Sequence, residues 1–184
     1  NVILTQVLRE RLMSINDIKL GSKTTKFDPS NIEKAILKLQ DVQFSEGLIH
    51  ASNQIYNLLL FGVAVEQSIE GDKKSHTIQF IDWENLENNH FHVTEEFPVM
   101  RMGRKDTYRP DIILFINGIP IVVIECKSPT IKEPLKQAIS QHIRNQQENG
   151  IRNLYVYSQI LIATSLLESK YATTNTKEEF WAVW

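Results

Sequence analysis

Two apolar runs in the second half of the chain, Ile112-Ile113-Leu114-Phe115-Ile116 and Ile121-Val122-Val123-Ile124, constrain the fold more than any other feature. A strand with one solvated face alternates polar and apolar side chains, and these runs do not alternate. They read as strands buried on both faces, joined through the turn dipeptide Asn117-Gly118. Such strands require helices on both sides of a central sheet, which places the chain in the α/β class.

The flanking segments supply the helices and further strands. Asp28-Pro29 combines an N-cap acceptor with proline at the first helical position, and Ile32, Ile36 and Leu39 recur at helical spacing. This predicts a helix to about Asp41. A second helix is predicted from about Glu46 to Leu60, on the stripe Leu48, Ile55 and Leu59. Val63 to Ile69 and Thr77 to Trp83 read as a hairpin around Gly71-Asp72. Phe91 to Val99 reads as a weaker strand, and Pro98 places it at an edge or an end. Pro134 opens a helix with Leu135, Ile139 and Ile143 facing inward, stopping near Asn149-Gly150. Leu154 to Tyr157 and Ile160 to Thr164 read as strands, and Thr176 to Glu179 as a capping box opening a short last helix with Phe180. With no repeat, low-complexity tract or linker, residues 1–184 read as a single domain.

Composition narrows the function classes. Twenty Lys and Arg against 22 Asp and Glu give a net charge of −2, which excludes a polybasic mode of nucleic-acid binding but not a local basic groove. The longest apolar stretch, Leu58 to Val65, falls far short of the ~20 residues that span a bilayer. A single cysteine, Cys126, forms neither an internal disulfide nor a cysteine zinc site, and it fits the reducing cytoplasm. Arg9, Glu10 and Arg11 interrupt the first apolar stretch, so it does not read as a secretory signal. A first residue of Asn rather than Met reads as a fragment or a processed chain. No glycine is followed by lysine, so the chain holds no Gly-x-x-x-x-Gly-Lys phosphate loop and no ATP site of that kind.

The chemistry-bearing stretch runs from Arg109-Pro110-Asp111 to Glu125-Cys126-Lys127. Glu125 and Lys127 are two apart on a strand and leave the same face, bringing two charges to the margin of a buried sheet. Asp111 starts the neighbouring strand at the same end of the hairpin. Two carboxylates beside a lysine can hold a hard divalent cation and organise a water next to it. The alternative is an exposed Glu125–Lys127 pair with Asp111 capping a strand. Cys126, between the two charges, points to the opposite face, where a buried packing role is expected.

At these residues the chain resembles a known family. The string from Tyr108-Arg109-Pro110-Asp111 through Asn117-Gly118 to Ile124-Glu125-Cys126-Lys127-Ser128-Pro129 is similar to the nuclease core in the N-terminal region of type I restriction enzyme R subunits. That region belongs to the PD-(D/E)xK nuclease superfamily, with a mixed central sheet flanked by helices. The resemblance extends through Tyr155 to Thr164 and Lys170 to Phe180. It implies that Asp111, Glu125 and the Cys126 carbonyl hold Mg2+, with Mn2+ as a substitute, and that Lys127 orients or activates the attacking water. It further implies a Q-x-x-x-Y motif on the following helix. Gln141 matches, but Asn145 occupies the Tyr position. Gln141 is thus the fourth candidate catalytic residue.

The shared site carries a parity condition. If Asn117-Gly118 were a plain two-residue turn, Asp111 would lie opposite Ile124, and Asp111 and Glu125 would point to opposite faces. A shared metal therefore requires an odd extra residue between them, in a loop or bulge, or a bend at Asp111. Among the remaining features, Arg101, Arg104, Lys105 and Arg109 form a basic loop suited to phosphate contact. His90 and His92 share a strand face but lack a third ligand at suitable spacing.

The reading these observations support is a Mg2+-dependent DNA endonuclease domain that hydrolyses phosphodiesters with metal-activated water. The resemblance implies methylation and specificity subunits as partners, and ATP use only in motor regions outside this chain. Two rivals stand beside it: a non-catalytic DNA- or partner-docking module of the same fold, and an end-dependent repair nuclease.

Overall fold

The computed structural model describes residues 2–184. Helix α1 (Thr5–Ile15) leads into a small hairpin, β1 (Asp17–Leu20) and β2 (Lys23–Lys26), followed by α2 (Pro29–Gln40) and α3 (Leu48–Phe61). A second hairpin, β3 (Val63–Ile69) and β4 (Asp72–Ile78), precedes β5 (Phe91–Glu95), β6 (Val99–Met100), β7 (Thr107–Tyr108), β8 (Ile112–Ile116) and β9 (Ile119–Cys126). Helices α4 (Pro134–Asn145) and α5 (Arg152–Tyr155) lead to β10 (Ile160–Thr164), β11 (Ser169–Ala172) and β12 (Ala182–Val183). Six strands form the main sheet in the order β12-β11-β10-β9-β8-β5. It is mixed: β9 and β10 are parallel, and the other neighbours are antiparallel. The fold is the mixed α/β architecture of a restriction-endonuclease-like sheet with helices.

The central hairpin forms where the apolar runs place it, and its turn is built for positive φ. Asn117 and Gly118 lie at φ 53° and 83°, the primed-turn geometry that asparagine and glycine tolerate. A Cβ on Gly118 would meet the Leu4 carbonyl oxygen at 2.7 Å, so α1 can approach only a glycine here. Asn117 is fully buried: its Oδ1 accepts from His90 N at 2.8 Å, and its Nδ2 donates to Phe80 O at 2.9 Å and Asn89 Oδ1 at 2.7 Å. Asn117→Ala strands these groups in the core and puts a Cβ-bearing residue without a compensating side-chain bond at positive φ. It is expected to cost about 3 kcal/mol, read as a lower denaturant midpoint at an unchanged slope.

One face of the sheet is sealed and the other is not. Ile113, Phe115, Val123, Leu161 and Ala163 are buried on the face that α4 covers, and α4 packs on it through Leu135, Ala138, Ile139 and His142. On the opposite face Phe91 and Val93 are 64% and 65% exposed, and Leu114 and Ile160 are each 36% exposed. The expectation that both faces are buried is therefore corrected: absence of alternation reports side-chain type, and cover for the second face is a tertiary property.

Five local expectations also change. The second strand of the β3–β4 hairpin is Asp72–Ile78, not Thr77 to Trp83, and it turns at Glu70-Gly71. Its first five residues are exposed or half-exposed and polar, so no apolar pattern marks them. Leu154 to Tyr157 is not a strand, because α5 covers Arg152–Tyr155. Its apolar side chains are buried all the same, and a short apolar run cannot tell helix from strand. The helix opened by Pro134 ends at Asn145, ahead of Asn149-Gly150, and the last helix is only a 3-10 turn at Glu178–Phe180. In the Phe91 to Val99 stretch, pairing to β8 stops at Glu95, and Val99–Met100 pairs instead with Thr107–Tyr108.

Candidate active site

The parity condition is met by a bulge. Ile116 pairs with Ile119 and Phe115 with Pro120, but Leu114 pairs with Val122, so Ile121 is the extra residue. Proline lacks the N–H a ladder needs and so fits beside a bulge, where Pro120 stands. Past the bulge Ile113 faces Val123 and Ile112 faces Ile124. Continued by one residue, this register sets Asp111 opposite Glu125 on one face.

Asp111 is anchored by its main and side chains. Its carbonyl accepts from Glu96 N at 3.0 Å, and its Oδ2 accepts from Cys126 N at 2.6 Å. Lys127 Nζ lies 3.7 Å from that Oδ2 and donates to the Cys126 carbonyl at 3.2 Å. Lys127 N in turn donates to Thr164 O at 2.9 Å, which continues the β9–β10 ladder beyond the strand end. Asp111, Lys127 and the Cys126 carbonyl thus meet at one point.

Glu125 is fully buried, and burial is the main reason its carboxyl is pushed up to about 8. The nearby Asp111 charge raises it further, and Lys127 partly opposes the shift. The short Gln141 Nε2–Glu125 Oε2 hydrogen bond and the 3.4 Å bond from Asn145 Nδ2 to Oε1 hold this carboxyl from α4. Two facing carboxyls without a full complement of positive charge, beside the Cys126 carbonyl to which Lys127 donates, are the donor set of a hard divalent cation. The residues therefore fit such an ion. No group of three or more His, Cys, Asp or Glu occurs among the described residues, so main-chain oxygen and water would complete its shell.

Behind Glu125 lies a buried network that motif reading does not find. His142, held neutral by burial with its pKa lowered to about 4, accepts at Nδ1 from the Tyr155 hydroxyl and donates from Nε2 to Ile162 O, each at 3.0 Å. The Asn145 amide also lies against that hydroxyl, whose own pKa is raised by burial. Asn145 thus stands where the motif has tyrosine, and a tyrosine hydroxyl reaches the same neighbourhood from α5. Tyr155 lies ten residues beyond Asn145 across a turn, and no helical spacing links the two.

The remaining candidates fall differently. Cys126 is exposed, which corrects the expectation of a buried packing role: its side chain faces the uncovered side of the sheet. Burial is the first cause of its raised thiol pKa, and the Asp111 and Glu125 charges add to it. Arg101 is not a free phosphate ligand. Its side chain is 15% exposed, pairs with Asp106 at 2.7 Å, donates to Asn149 O at 2.9 Å and stacks on Tyr108 at 4.4 Å. Arg104, Lys105 and Arg109 are exposed in and beside the β6–β7 hairpin. The His90 and His92 rings pack edge to face with centroids 5.8 Å apart.

Comparison with known proteins gives one consistent result. The family model described as type I restriction enzyme R protein N terminus matches residues 1–180. The putative MjaIXP endonuclease subunit of a type I restriction enzyme from Methanocaldococcus jannaschii is 36% identical over 130 residues, 70% of this chain and 12% of that protein. The putative MjaVIIIP endonuclease subunit from the same organism is 33% identical over 180 residues, 97% of this chain and 16% of that protein. The type I restriction enzyme HindI endonuclease subunit of Haemophilus influenzae is 28% identical over 185 residues, 100% of this chain and 16% of that protein. The chain thus spans less than a fifth of the length of these relatives.

Proposed function

The chain belongs to the type I restriction enzyme R protein N-terminus family, and from that premise we propose that residues 1–184 are one DNA endonuclease domain of an R subunit. The observation that carries the proposal is the Ile121 bulge, which turns Asp111 and Glu125 to one face beside Lys127. A fold that needed only a stable hairpin would gain nothing from burying a carboxyl opposite another carboxyl.

Asp111, Glu125 and the Cys126 carbonyl would hold the cation, with Mg2+ the resident ion and Mn2+ a substitute. When bound, such an ion neutralises charge on the scissile phosphate and lowers the pKa of water. The protein's side chains do the positioning. Asp111 Oδ2 is tied to Cys126 N, which fixes its carboxylate plane. Gln141 and Asn145 fix Glu125 from α4. The Lys127 ammonium has no lone pair for a cation and cannot be a ligand. It orients the attacking water and offsets charge that grows on the phosphate oxygens as the phosphodiester is hydrolysed. DNA is the substrate, the cytoplasm the compartment, and methylation and specificity subunits the partners. ATP is used only by motor regions elsewhere in such subunits. No helix among the described residues is long and apolar enough to cross a membrane.

The test is nicking and linearisation of closed circular plasmid in Mg2+ or Mn2+, alongside calorimetric titration with the ion. Lys127→Ala is expected to keep ion affinity and lose cleavage, whereas Glu125→Ala weakens both. Equal ion affinity in wild type and Glu125→Ala would remove Glu125 from the ligand set. Cutting of linear DNA alone would favour an end-dependent enzyme.

A further inference from the structure

A groove of about 530 Å³ opens beside the carboxylates, lined by Lys136, Gln141 and Arg144 of α4, by Lys132 just ahead of that helix and by Lys127. Its lining carries four cations and a single carboxylate, Glu133. That carboxylate meets Lys136 at 3.7 Å, with both side chains more than half exposed, an arrangement that neutralises little. Lys132 and Arg144 form no ion pair among the described residues. Gln141 and Lys127 line the groove, and they also contact Glu125 and Asp111, so the groove adjoins the site.

We propose that the DNA backbone is gripped along this groove, by Lys136 and Arg144 of α4 and by Lys132 just ahead of the helix, and not chiefly by the Arg101–Arg109 hairpin. The inference rests on the nuclease reading and names how that site holds its substrate. A phosphodiester approaching Asp111 and Glu125 meets like charge, so its path must be lined by cations that no carboxylate has already neutralised. Lys136 and Arg144, eight residues apart, share a helix face and sit about 12 Å apart along the axis. That spread suits an extended row of phosphates better than one compact anion. The hairpin is less well placed, because its Arg101 is bound to Asp106 and Asn149, whereas the Tyr108 ring, 4.4 Å from Arg101 and 5.6 Å from Arg144, is shared by both sides and does not distinguish them.

Salt-dependent binding tests this directly. Anisotropy of a labelled duplex of arbitrary sequence, measured without divalent metal so that no cleavage intervenes, gives the slope of log K against log salt. Each phosphate contact contributes about 0.9 to that slope. Lys132→Ala/Lys136→Ala/Arg144→Ala is expected to reduce it by roughly 2.7 with an unchanged melting temperature, while Arg104→Ala/Lys105→Ala/Arg109→Ala reduces it by less than about 1. An unchanged slope in the α4 variant, an equal loss in the hairpin variant, or no duplex binding by the wild type would overturn the inference. A wild type that binds with the expected slope but never cuts plasmid in Mg2+ or Mn2+ would sink the catalytic reading and leave the α4 track standing.

Discussion

Asp111→Ala is expected to lower metal-dependent plasmid cleavage by at least about a thousandfold, with the fold intact and duplex binding retained. The size follows from position. Asp111 is one of two carboxylates at the site, and its Oδ2 forms an ion pair with the Lys127 ammonium at 3.7 Å. Under the proposed mechanism its loss removes a cation ligand and unfixes the lysine assigned to orient the water. The structural cost is small, because the Cys126 N–H it releases lies at an exposed strand end that water reaches. A melting temperature within a few degrees of wild type, paired with lost cleavage, is the expected result. Cleavage within tenfold of wild type would show that the Asp111 carboxylate is not part of the chemistry. Loss of duplex binding in step with cleavage would favour a docking role for this edge of the sheet.

How much of this is legible in the sequence depends on whether the cause is local. The β8–β9 hairpin, α2 and α4 announce themselves because an apolar run, a primed turn or a Pro-initiated helical stripe lies within the segment it shapes. The bulge is legible only as a condition. Parity shows that one odd residue is needed, and only the register shows that it is Ile121 rather than a longer loop. The Cys126 side chain points where alternation sends it, yet whether that face is covered depends on distant elements. Strand β4 is held to β3 by backbone pairing and carries almost no apolar signal of its own. The Tyr155–His142 pair joins α5 to α4 through tertiary contact, beyond the reach of any helical spacing. Arg101 shows the same limit in reverse: a basic loop reads as free cations until the carboxylate, carbonyl and ring that engage one of them are seen.

The buried carboxyl of Glu125 makes a pH-dependent demand on stability, and its sign is fixed by its raised pKa. A carboxyl that titrates at about 8 in the fold, against 4.5 when exposed, favours the folded state in its protonated form. The metal-free protein is therefore expected to be fully stable with respect to this group below about pH 4.5 and to lose stability as pH rises toward 8. By pH 9 the loss is on the order of 5 kcal/mol, a large part of what holds a domain of this size together. A divalent cation reverses the sign by favouring the ionised pair, and at a hundredfold excess over its Kd it adds about 2.7 kcal/mol by mass action. Two measurements check this. Melting temperature without metal should fall between pH 5 and 9 and recover with Mg2+ or Mn2+. Calorimetry in buffers of different ionisation enthalpy should show release of close to one proton per ion bound at pH 6.5, falling toward none at pH 9. Glu125→Gln separates the charge from the shape. It removes the repulsion with Asp111 and keeps the side-chain volume, so the metal-free variant should be more stable than wild type at pH 9 while ion binding is lost. A flat pH profile with no proton release would mean that the Asp111–Glu125 pair is already ionised without metal, and the cation would then have no buried charge to neutralise.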